Sequence, residues 1–125
     1  MKVIVTGGSG FLGTNLINKL TQKKNYSVFS IDKKKLNKDT IFSYEKVDNF
    51  DLNLNSRNLI NILKEINPDI IFNLAAESQV LRSADNPLDT YKSNIFGSLN
   101  LFDSIRKLQI NCLLYTSDAA DEEDS

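Results

Sequence analysis

The chain has 125 residues, of which 41% are apolar and 25% are charged, and its formal net charge is −1. This balance is typical of an ordinary water-soluble domain and gives no indication of nucleic-acid or membrane binding. Because the sequence contains no histidine and a single cysteine, we exclude an internal disulfide, a zinc centre and a Ser-His-Asp triad within this chain. It also lacks an apolar run of membrane-spanning length and a signal peptide, so we expect a cytoplasmic protein.

The chain begins with an apolar run over Lys2–Thr6, which predicts a parallel strand buried on both faces. A glycine-rich turn follows, and its glycines fit two overlapping spacings. Gly8, Gly10 and Gly13 give GxGxxG, whereas Gly7, Gly10 and Gly13 give GxxGxxG. A turn of this kind before a helix lets the backbone approach an anion, and the helix directs N–H groups at that anion. The pattern predicts a pyrophosphate-binding loop.

From Thr14, apolar residues recur at helical spacing, and Ser27–Ile31 then predicts a second strand that ends at Asp32. An acid in this position can accept hydrogen bonds from both ribose hydroxyls of an adenosine and repels a 2′-phosphate. Asp32 therefore favours NAD over NADP. The neighbouring Lys33–Lys35 could attract that phosphate or form a solvated loop.

A third strand is predicted over Ile41–Val47, followed by Asp48 and Asn49. These two polar residues fit a simple turn, or an adenine contact if the strand ends gather at a ligand crevice. Asn55 or Ser56 is expected to cap the next helix, which bears an apolar stripe of Leu59, Ile60, Leu63 and Ile66 and closes before Pro68.

Ile70–Leu74 predicts a fourth buried strand, and the small Ala75 and Ala76 after it would let the chain pass close to a ligand. Glu77, Ser78 and Arg82 are the polar residues expected nearest that cleft. A long helix is predicted over Leu88–Leu108, where Gly97 would permit close packing against a neighbour. Its apolar face is expected to lie in the core or in a helix-to-helix dimer interface, and consists of Tyr91, Ile95, Leu99, Phe102 and Ile105.

Strands that alternate with helices predict an α/β fold, namely a Rossmann-type parallel sheet with helices on both faces, truncated after the fourth or fifth strand. A phosphate loop of the GxxxxGK[ST] type is absent from the sequence, which disfavours a nucleoside triphosphatase.

Four segments, TGGSGFLG, Asp32, NLAAESQVLRSADNP and YKSNIFGSLNLF, occur in this order over residues 1–111. Together they resemble the extended short-chain dehydrogenase/reductases that act on nucleotide sugars, the NAD-dependent epimerase/dehydratase family. The resemblance is strongest to the 4,6-dehydratases of that family, although Gln79 and Leu81 depart from their pattern and keep an epimerase open.

The resemblance implies that bound NAD oxidises C4 of the sugar transiently and returns the hydride after elimination or inversion. It implies that Gly7, Gly10 and Gly13 form the working loop, with backbone contacts from Phe11 and Leu12 to the pyrophosphate. The other implied cofactor contacts are Asp32 with Lys33 at the ribose, Asp48 and Asn49 at adenine, Leu74, Ala75 and Ala76 along the cofactor, and Ser93 near the nicotinamide. From the apolar stripe of the long helix, we expect a full-length protein to form a homodimer through the helix near residues 88–108.

The family base, a tyrosine followed four positions later by lysine, is missing, since none of the four tyrosines has such a lysine. We therefore expect this chain alone to be inactive. Ser117 and Asp118 match catalytic positions only if the end of the chain is native. That end changes character at Cys112: residues 1–111 hold all 15 basic and 11 of the 16 acidic residues, a net +4, whereas residues 112–125 hold five acids and no base.

Residues 112–122 also resemble the translation of a sequencing adapter, so we expect an NAD-binding domain over residues 1–111 and a non-native acidic tail over 112–125. Two functions stay open at this point. The chain is the cofactor-binding half of a nucleotide-sugar dehydratase or epimerase, or it is a non-catalytic NAD-binding module.

Overall fold

The computed structural model describes residues 1–75 and 87–116. Within these ranges the chain forms a five-stranded sheet, in the order β3-β2-β1-β4-β5, in which every pairing is parallel. The strands are β1 (Lys2–Thr6), β2 (Ser27–Asp32), β3 (Val47–Asp51), β4 (Ile70–Asn73) and β5 (Leu113–Thr116). The helices are α1 (Phe11–Thr21), α2 (Leu59–Ile66) and α3 (Pro87–Leu108), with a short 3₁₀ helix over Tyr44–Lys46. The predicted Rossmann-type architecture is confirmed.

The core lies on both faces of β1, as its unbroken apolar sequence predicts. Val3, Ile4 and Val5 are all fully buried. One face packs in a cluster with Ile17 of α1, and the other packs in a cluster with Leu63 of α2 and with α3. Helices therefore cover both sides of the sheet, and the central strand is held from each side.

The strand order positions the site. From β1 the chain moves to β2 and β3 on one side, then crosses back to β4 on the other side of β1. In an open α/β sheet a crevice forms at the carboxyl ends of the strands where the order reverses. Here that crevice lies between the ends of β1 and β4.

Two predicted boundaries were wrong. The third strand does not cover Ile41–Val47: Ile41 is a buried anchor of the preceding loop, the 3₁₀ helix intervenes, and β3 begins at Val47. The second helix starts at Leu59 after Asn58, because Ser56 belongs to a turn in which its N–H donates to the Asn53 carbonyl at 2.9 Å. Turn chemistry at these polar residues outweighs the helical spacing that follows them.

Of the α3 face predicted to lie in the core, Ile95, Leu99 and Phe102 are exposed, whereas Ile105 packs against the core. Ile95 and Leu99 are 57% and 55% exposed, whereas Leu101 on the opposite face is fully buried. The buried side of α3 packs tightly against the turn before α2, and a Cβ atom added to Gly97 would lie 3.0 Å from Cβ of Leu54. The close approach at Gly97 leaves no room for a larger side chain there, and an apolar stripe that includes Ile95 and Leu99 faces outward.

The sheet includes a fifth strand, β5, but this strand is unlike the others. Leu113, Leu114 and Tyr115 are 58%, 38% and 51% exposed. Tyr115 stacks on Phe72 of β4, with ring centroids 5.2 Å apart. The strand is paired along its backbone while its side chains stay open to solvent.

Candidate functional site

The glycine turn lies at the carboxyl end of β1, directly against the end of β4. Gly7 has φ = 72°, a backbone conformation that residues other than glycine rarely adopt. Its N–H donates to the Ile31 carbonyl at 3.1 Å. A Cβ atom on Gly7 would lie 2.7 Å from backbone atoms of Leu74 and Ala75. The two strand ends therefore meet at a distance that only glycine permits.

Helix α1 begins inside the glycine pattern, three residues earlier than its apolar periodicity predicts. Gly10 precedes its first residue, and among the described residues no side chain caps this end. The N–H groups of a first helical turn lack partners within the helix and carry partial positive charge. Those of Phe11 and Leu12 are therefore available to an anion at the end of β1.

Gly13 makes this arrangement possible from within the helix. A Cβ atom at this position would collide with the Gly7 carbonyl oxygen and would lie 2.8 Å from Cα of Gly8. The side-chain hydroxyl of Thr14 also donates to the Gly8 carbonyl at 3.1 Å, which ties the helix to the turn. The GxxGxxG spacing thus reflects contacts at Gly7 and Gly13, and Gly8 is also required because its Cβ would overlap the Ser30 hydroxyl.

Asp32 is the last residue of β2 and lies beside the turn, as predicted. It is only 7% exposed, and its carboxylate accepts hydrogen bonds from Ser9 and from the Lys34 N–H. The side chains of Lys33, Lys34 and Lys35 are exposed. Ser9 was missed by sequence reasoning, because nothing in a glycine pattern indicates that an intervening residue reaches the neighbouring strand.

The expected position of Asp48 and Asn49 beyond the third strand is wrong. Both lie inside β3, where they pair with Phe29 and Ser30. The carboxyl end of the strand is Asp51, which pairs with Asp32. The shift follows from the strand boundary, since β3 begins where the predicted strand ends.

A buried polar network supports the end of β4 and was not predicted. The Thr6 hydroxyl donates to Oδ1 of Asn73 at 2.6 Å and accepts from the N–H groups of Leu74 and Ala75 at 3.1 and 3.3 Å. Nδ2 of Asn73 in turn donates to the Ser98 hydroxyl of α3 at 3.2 Å. The signal was the polar residue that ends each of two otherwise apolar strands. This network fixes the backbone that faces the glycine turn.

An open cleft of about 570 Å³ borders the glycine turn on the α1 side. Phe11 and Phe42, both lining it, are 80% and 79% exposed. Asn18 joins α1 to the far wall, where its side chain donates to the Thr40 carbonyl and accepts from the Phe42 N–H. The cleft is lined by Ser9, Gly10, Phe11, Thr14, Asn15, Asn18, Lys34, Lys35, Asn37, Asp39, Thr40 and Phe42.

From residue 4 to residue 120, the sequence matches the family model described as GDP-mannose 4,6 dehydratase. The chain belongs to this family. Membership confirms the predicted resemblance to the NAD-dependent dehydratases and epimerases of nucleotide sugars, and it agrees with a glycine turn, a strand-end acid and a parallel sheet in the arrangement described above.

Proteins with similar sequences include both dehydratases and epimerases. The chain is 34% identical over 113 residues to dTDP-glucose 4,6-dehydratase of Haemophilus influenzae, covering 82% of this chain and 32% of that protein. It is 32% identical over 123 residues to CDP-paratose 2-epimerase of Salmonella typhi, covering 94% and 36%. The chain spans about a third of the length of these relatives.

The fold is similar to that of solved epimerases. UDP-glucose 4-epimerase of Bifidobacterium longum, in complex with NAD⁺ and UDP, superposes with a TM-score of 0.77 at 25% identity, covering 95% of this chain and 37% of that one. The structural similarity extends along nearly the whole chain.

The remaining predicted site residues are not tested by this structure. Ala76, Glu77, Ser78 and Arg82, and likewise Ser117 and Asp118, lie outside the described residues. Ser93 belongs to α3, but its side chain, like that of Tyr91, is outside the description. Over residues 1–75 and 87–116 no cluster of acidic or cysteine side chains is arranged to hold a metal ion. No helix in the same ranges is both long and apolar enough to cross a membrane.

Proposed function

We propose that this chain is the NAD-binding part of a nucleotide-sugar 4,6-dehydratase. The observation that carries the proposal is the crevice between β1 and β4, where free N–H groups of α1 and the Asp32 carboxylate lie on either side of the glycine turn. One feature suits a pyrophosphate and the other suits a ribose. Family membership over residues 4–120 supports the same assignment.

Each part of the dinucleotide has candidate partners in this crevice. The N–H groups of Phe11 and Leu12 would hold the pyrophosphate, because the glycines around them keep the backbone accessible. Asp32 would accept the adenosine ribose, with Lys33 beside it. The N–H of Leu52 donates to the Asp32 carbonyl at 3.0 Å, so the end of β3 adjoins the ribose position.

The register of β3 changes which residues we expect to contact adenine. Asp51 pairs with Asp32 at the carboxyl edge, whereas Asp48 and Asn49 lie further back along the strand. We therefore assign Asp51 and Leu52 to the adenine border. On the other side of the crevice, Leu74 and Ala75 would line the cofactor toward its nicotinamide half.

Bound NAD would supply hydride acceptance from C4 of the sugar and its return at the end of the cycle. The described residues of this chain would bind the cofactor and orient it. The tyrosine and lysine that such enzymes use as the base are not paired in this sequence, so we expect the chain by itself to be inactive. Glu77, Ser78 and Arg82 stay predicted substrate contacts, and Ser93, Ser117 and Asp118 stay predictions as well.

A nucleotide-sugar 4-epimerase is the second candidate, and the solved epimerase with a TM-score of 0.77 favours it. Both reactions begin with the same oxidation at C4, so the cofactor crevice serves either. A third assignment, a non-catalytic NAD-binding module, requires the same crevice without a base elsewhere in the protein.

The test has two stages. In the first, the purified chain is titrated with NAD by calorimetry, and Asp32→Ala is the matched control, expected to weaken binding at least about tenfold through loss of charge-assisted hydrogen bonds. Wild-type protein that does not bind NAD contradicts all three assignments. In the second, the longer protein containing this chain is incubated with dTDP-glucose and GDP-mannose. A 4-keto-6-deoxy product supports the dehydratase, and an epimer supports the epimerase. The absence of both products supports the binding module.

The outward stripe of α3 supports a homodimer of that longer protein. Ile95, Phe96 and Leu99 are each more than half exposed, and Phe102 continues the same face. Apolar side chains at this helical spacing suit packing against a second helix. We propose that two copies meet through this stripe, in a contact distinct from the cofactor crevice.

A further inference from the structure

Ser9 holds the Asp32 carboxylate from inside the glycine turn. Its backbone N–H donates to Oδ2 at 3.0 Å, and its hydroxyl donates to the same oxygen at 2.5 Å. The N–H of Lys34 donates to Oδ1 at 3.1 Å. Because Asp32 is only 7% exposed, water has little access to the carboxylate, and these three donors account for most of its solvation.

The carboxylate has fewer free positions than a ribose requires. Each carboxylate oxygen accepts about two hydrogen bonds. With both Ser9 donors in place, Oδ2 is saturated, and Oδ1 has one position left beside the Lys34 N–H. An adenosine ribose presents two neighbouring hydroxyls. As arranged here, Asp32 can accept one of them but not both.

We propose that the Ser9 hydroxyl is an internal competitor of the ribose and leaves Asp32 when the adenosine of the cofactor binds. A serine hydroxyl turns about a single side-chain bond, so it departs without moving the backbone. The Ser9 and Lys34 N–H groups then keep the carboxylate oriented, and the vacated position on Oδ2 accepts the second ribose hydroxyl. This inference rests on the proposed function, because it requires Asp32 to bind a ribose.

A positioning role for the Ser9 hydroxyl would have the opposite effect on cofactor binding. If the hydroxyl positioned Asp32 for the ribose, its removal would weaken cofactor binding. Competition follows from the geometry because both Ser9 donors fall on one oxygen, and the backbone donor alone suffices to orient it. The Ser9 hydroxyl, bound to Asp32 before the cofactor arrives, would then lower the affinity of the protein for the ribose.

The experiment compares wild type with Ser9→Ala and the hydroxyl-retaining control Ser9→Thr. Each is titrated with NAD and with an NAD analogue that lacks the adenosine 2′-hydroxyl, and each is melted without ligand. We expect Ser9→Ala to bind NAD about three- to tenfold more tightly while melting at a lower temperature, since the free protein loses a charge-assisted hydrogen bond. Ser9→Thr should bind as wild type does.

The 2′-deoxy analogue gives a reading that a purely structural role would not change. In wild type, loss of one ribose hydroxyl should weaken binding by less than about threefold, because the Ser9 hydroxyl stays in place and compensates. In Ser9→Ala, removal of the same ribose hydroxyl should weaken binding by a larger factor than in wild type. If Ser9→Ala does not fold, the proposal is overturned when wild type binds the 2′-deoxy analogue more than about tenfold more weakly than NAD.

The two proposals fail separately. Wild-type protein that binds no NAD overturns the proposed function and this inference with it. Wild type that binds NAD, with Ser9→Ala binding equally or more weakly, overturns only the competition at Asp32.

Discussion

The centre of this sheet and its β5 edge differ in how completely the chain covers its own apolar residues. Around β1, Val3, Ile4 and Val5 are fully buried between helices on both faces. Around β5, every strand residue is exposed, and the outward stripe of α3 adds further apolar surface. A parallel strand normally lies between covered faces. The glycine-turn region therefore has its packing within this chain, whereas the α3 and β5 region has apolar side chains that the described residues leave exposed.

This difference separates what each region can do by itself. The proposed phosphate and ribose positions depend on Gly7, Gly13 and Asp32, all of which lie in the well-packed part of the sheet. The proposed dimer contact depends on an apolar stripe that the described residues leave exposed. Cofactor binding is accordingly the activity that this chain is best equipped to show alone.

The largest predicted effect tests which face of α3 belongs to the core. Leu101→Ala removes a fully buried side chain and should lower the free energy of unfolding by about 2–5 kcal/mol. Leu99→Ala, its control two residues away, should change monomer stability by less than about 0.5 kcal/mol, since Leu99 faces solvent. Chemical denaturation measures both. Equal losses would contradict the assigned faces.

The glycine turn is the next most sensitive point. Gly13→Ala places a Cβ atom against the backbone of Gly7 and Gly8, and should lower stability by about 1–3 kcal/mol and abolish measurable NAD binding. Gly97→Ala is the control on α3, away from the turn: its new Cβ would lie 3.0 Å from Cβ of Leu54, so it should cost some stability but leave NAD binding unchanged. NAD binding by Gly13→Ala at wild-type affinity would contradict the proposed loop geometry.

A smaller effect is expected beneath the turn at Ser30. Its hydroxyl is fully buried and has no hydrogen-bond partner among the described residues. Removing an unpaired buried hydroxyl relieves a desolvation penalty, so Ser30→Ala should leave stability unchanged or raise it by up to about 1 kcal/mol. Thermal melting compares the two proteins. A clear loss of stability would indicate that the hydroxyl is satisfied after all.

The smallest effect concerns Cys112, at the entry to β5. Partial burial raises the pKa of its thiol, so less thiolate is present at a given pH than in an unfolded chain. Alkylation by iodoacetamide should therefore begin at higher pH in the folded protein than after denaturation. Because the folded form retains its proton more strongly, this thiol also weakens stability as the pH rises above its unfolded pKa.

The alkylation profile also bears on the end of the chain. If residues 112–125 are a foreign tail without contacts to the domain, the pH profile of Cys112 should be the same before and after denaturation. A shifted profile would place Cys112 against the core, as in this structure. Resequencing of the source DNA through codon 112 tests directly whether the tail is native.

Much of the fold could be predicted from the sequence, because the central strands are continuous apolar runs and the glycine turn has a specific chemical requirement. β1 and β4 begin at the predicted residues, as does β2, which ends at Asp32. The third strand was misplaced because Ile41 is buried by a loop, and burial alone makes a loop anchor resemble a strand. Part of the facing of α3 was misjudged because the exposed Ile95 and Leu99 are apolar, and apolar spacing alone does not specify which side of a helix meets the sheet.

The site was less predictable than the fold. Gly7, Gly13 and Asp32 follow from local rules of turn geometry and strand ends. Ser9 and Asn73 act through contacts with residues 23 and 67 positions away, to Asp32 and Thr6 respectively. Such pairings depend on strand register, which a pattern within one segment does not specify.

The central claim is that the crevice between β1 and β4 holds a dinucleotide, and a crystal structure of the chain grown with NAD tests it most directly. The account predicts pyrophosphate oxygens within hydrogen-bond distance of the N–H groups of Phe11 and Leu12, and the adenosine ribose on Asp32. It also predicts that the Ser9 hydroxyl has turned away from that carboxylate. A dinucleotide seated elsewhere, with its pyrophosphate remote from the start of α1, would contradict the account.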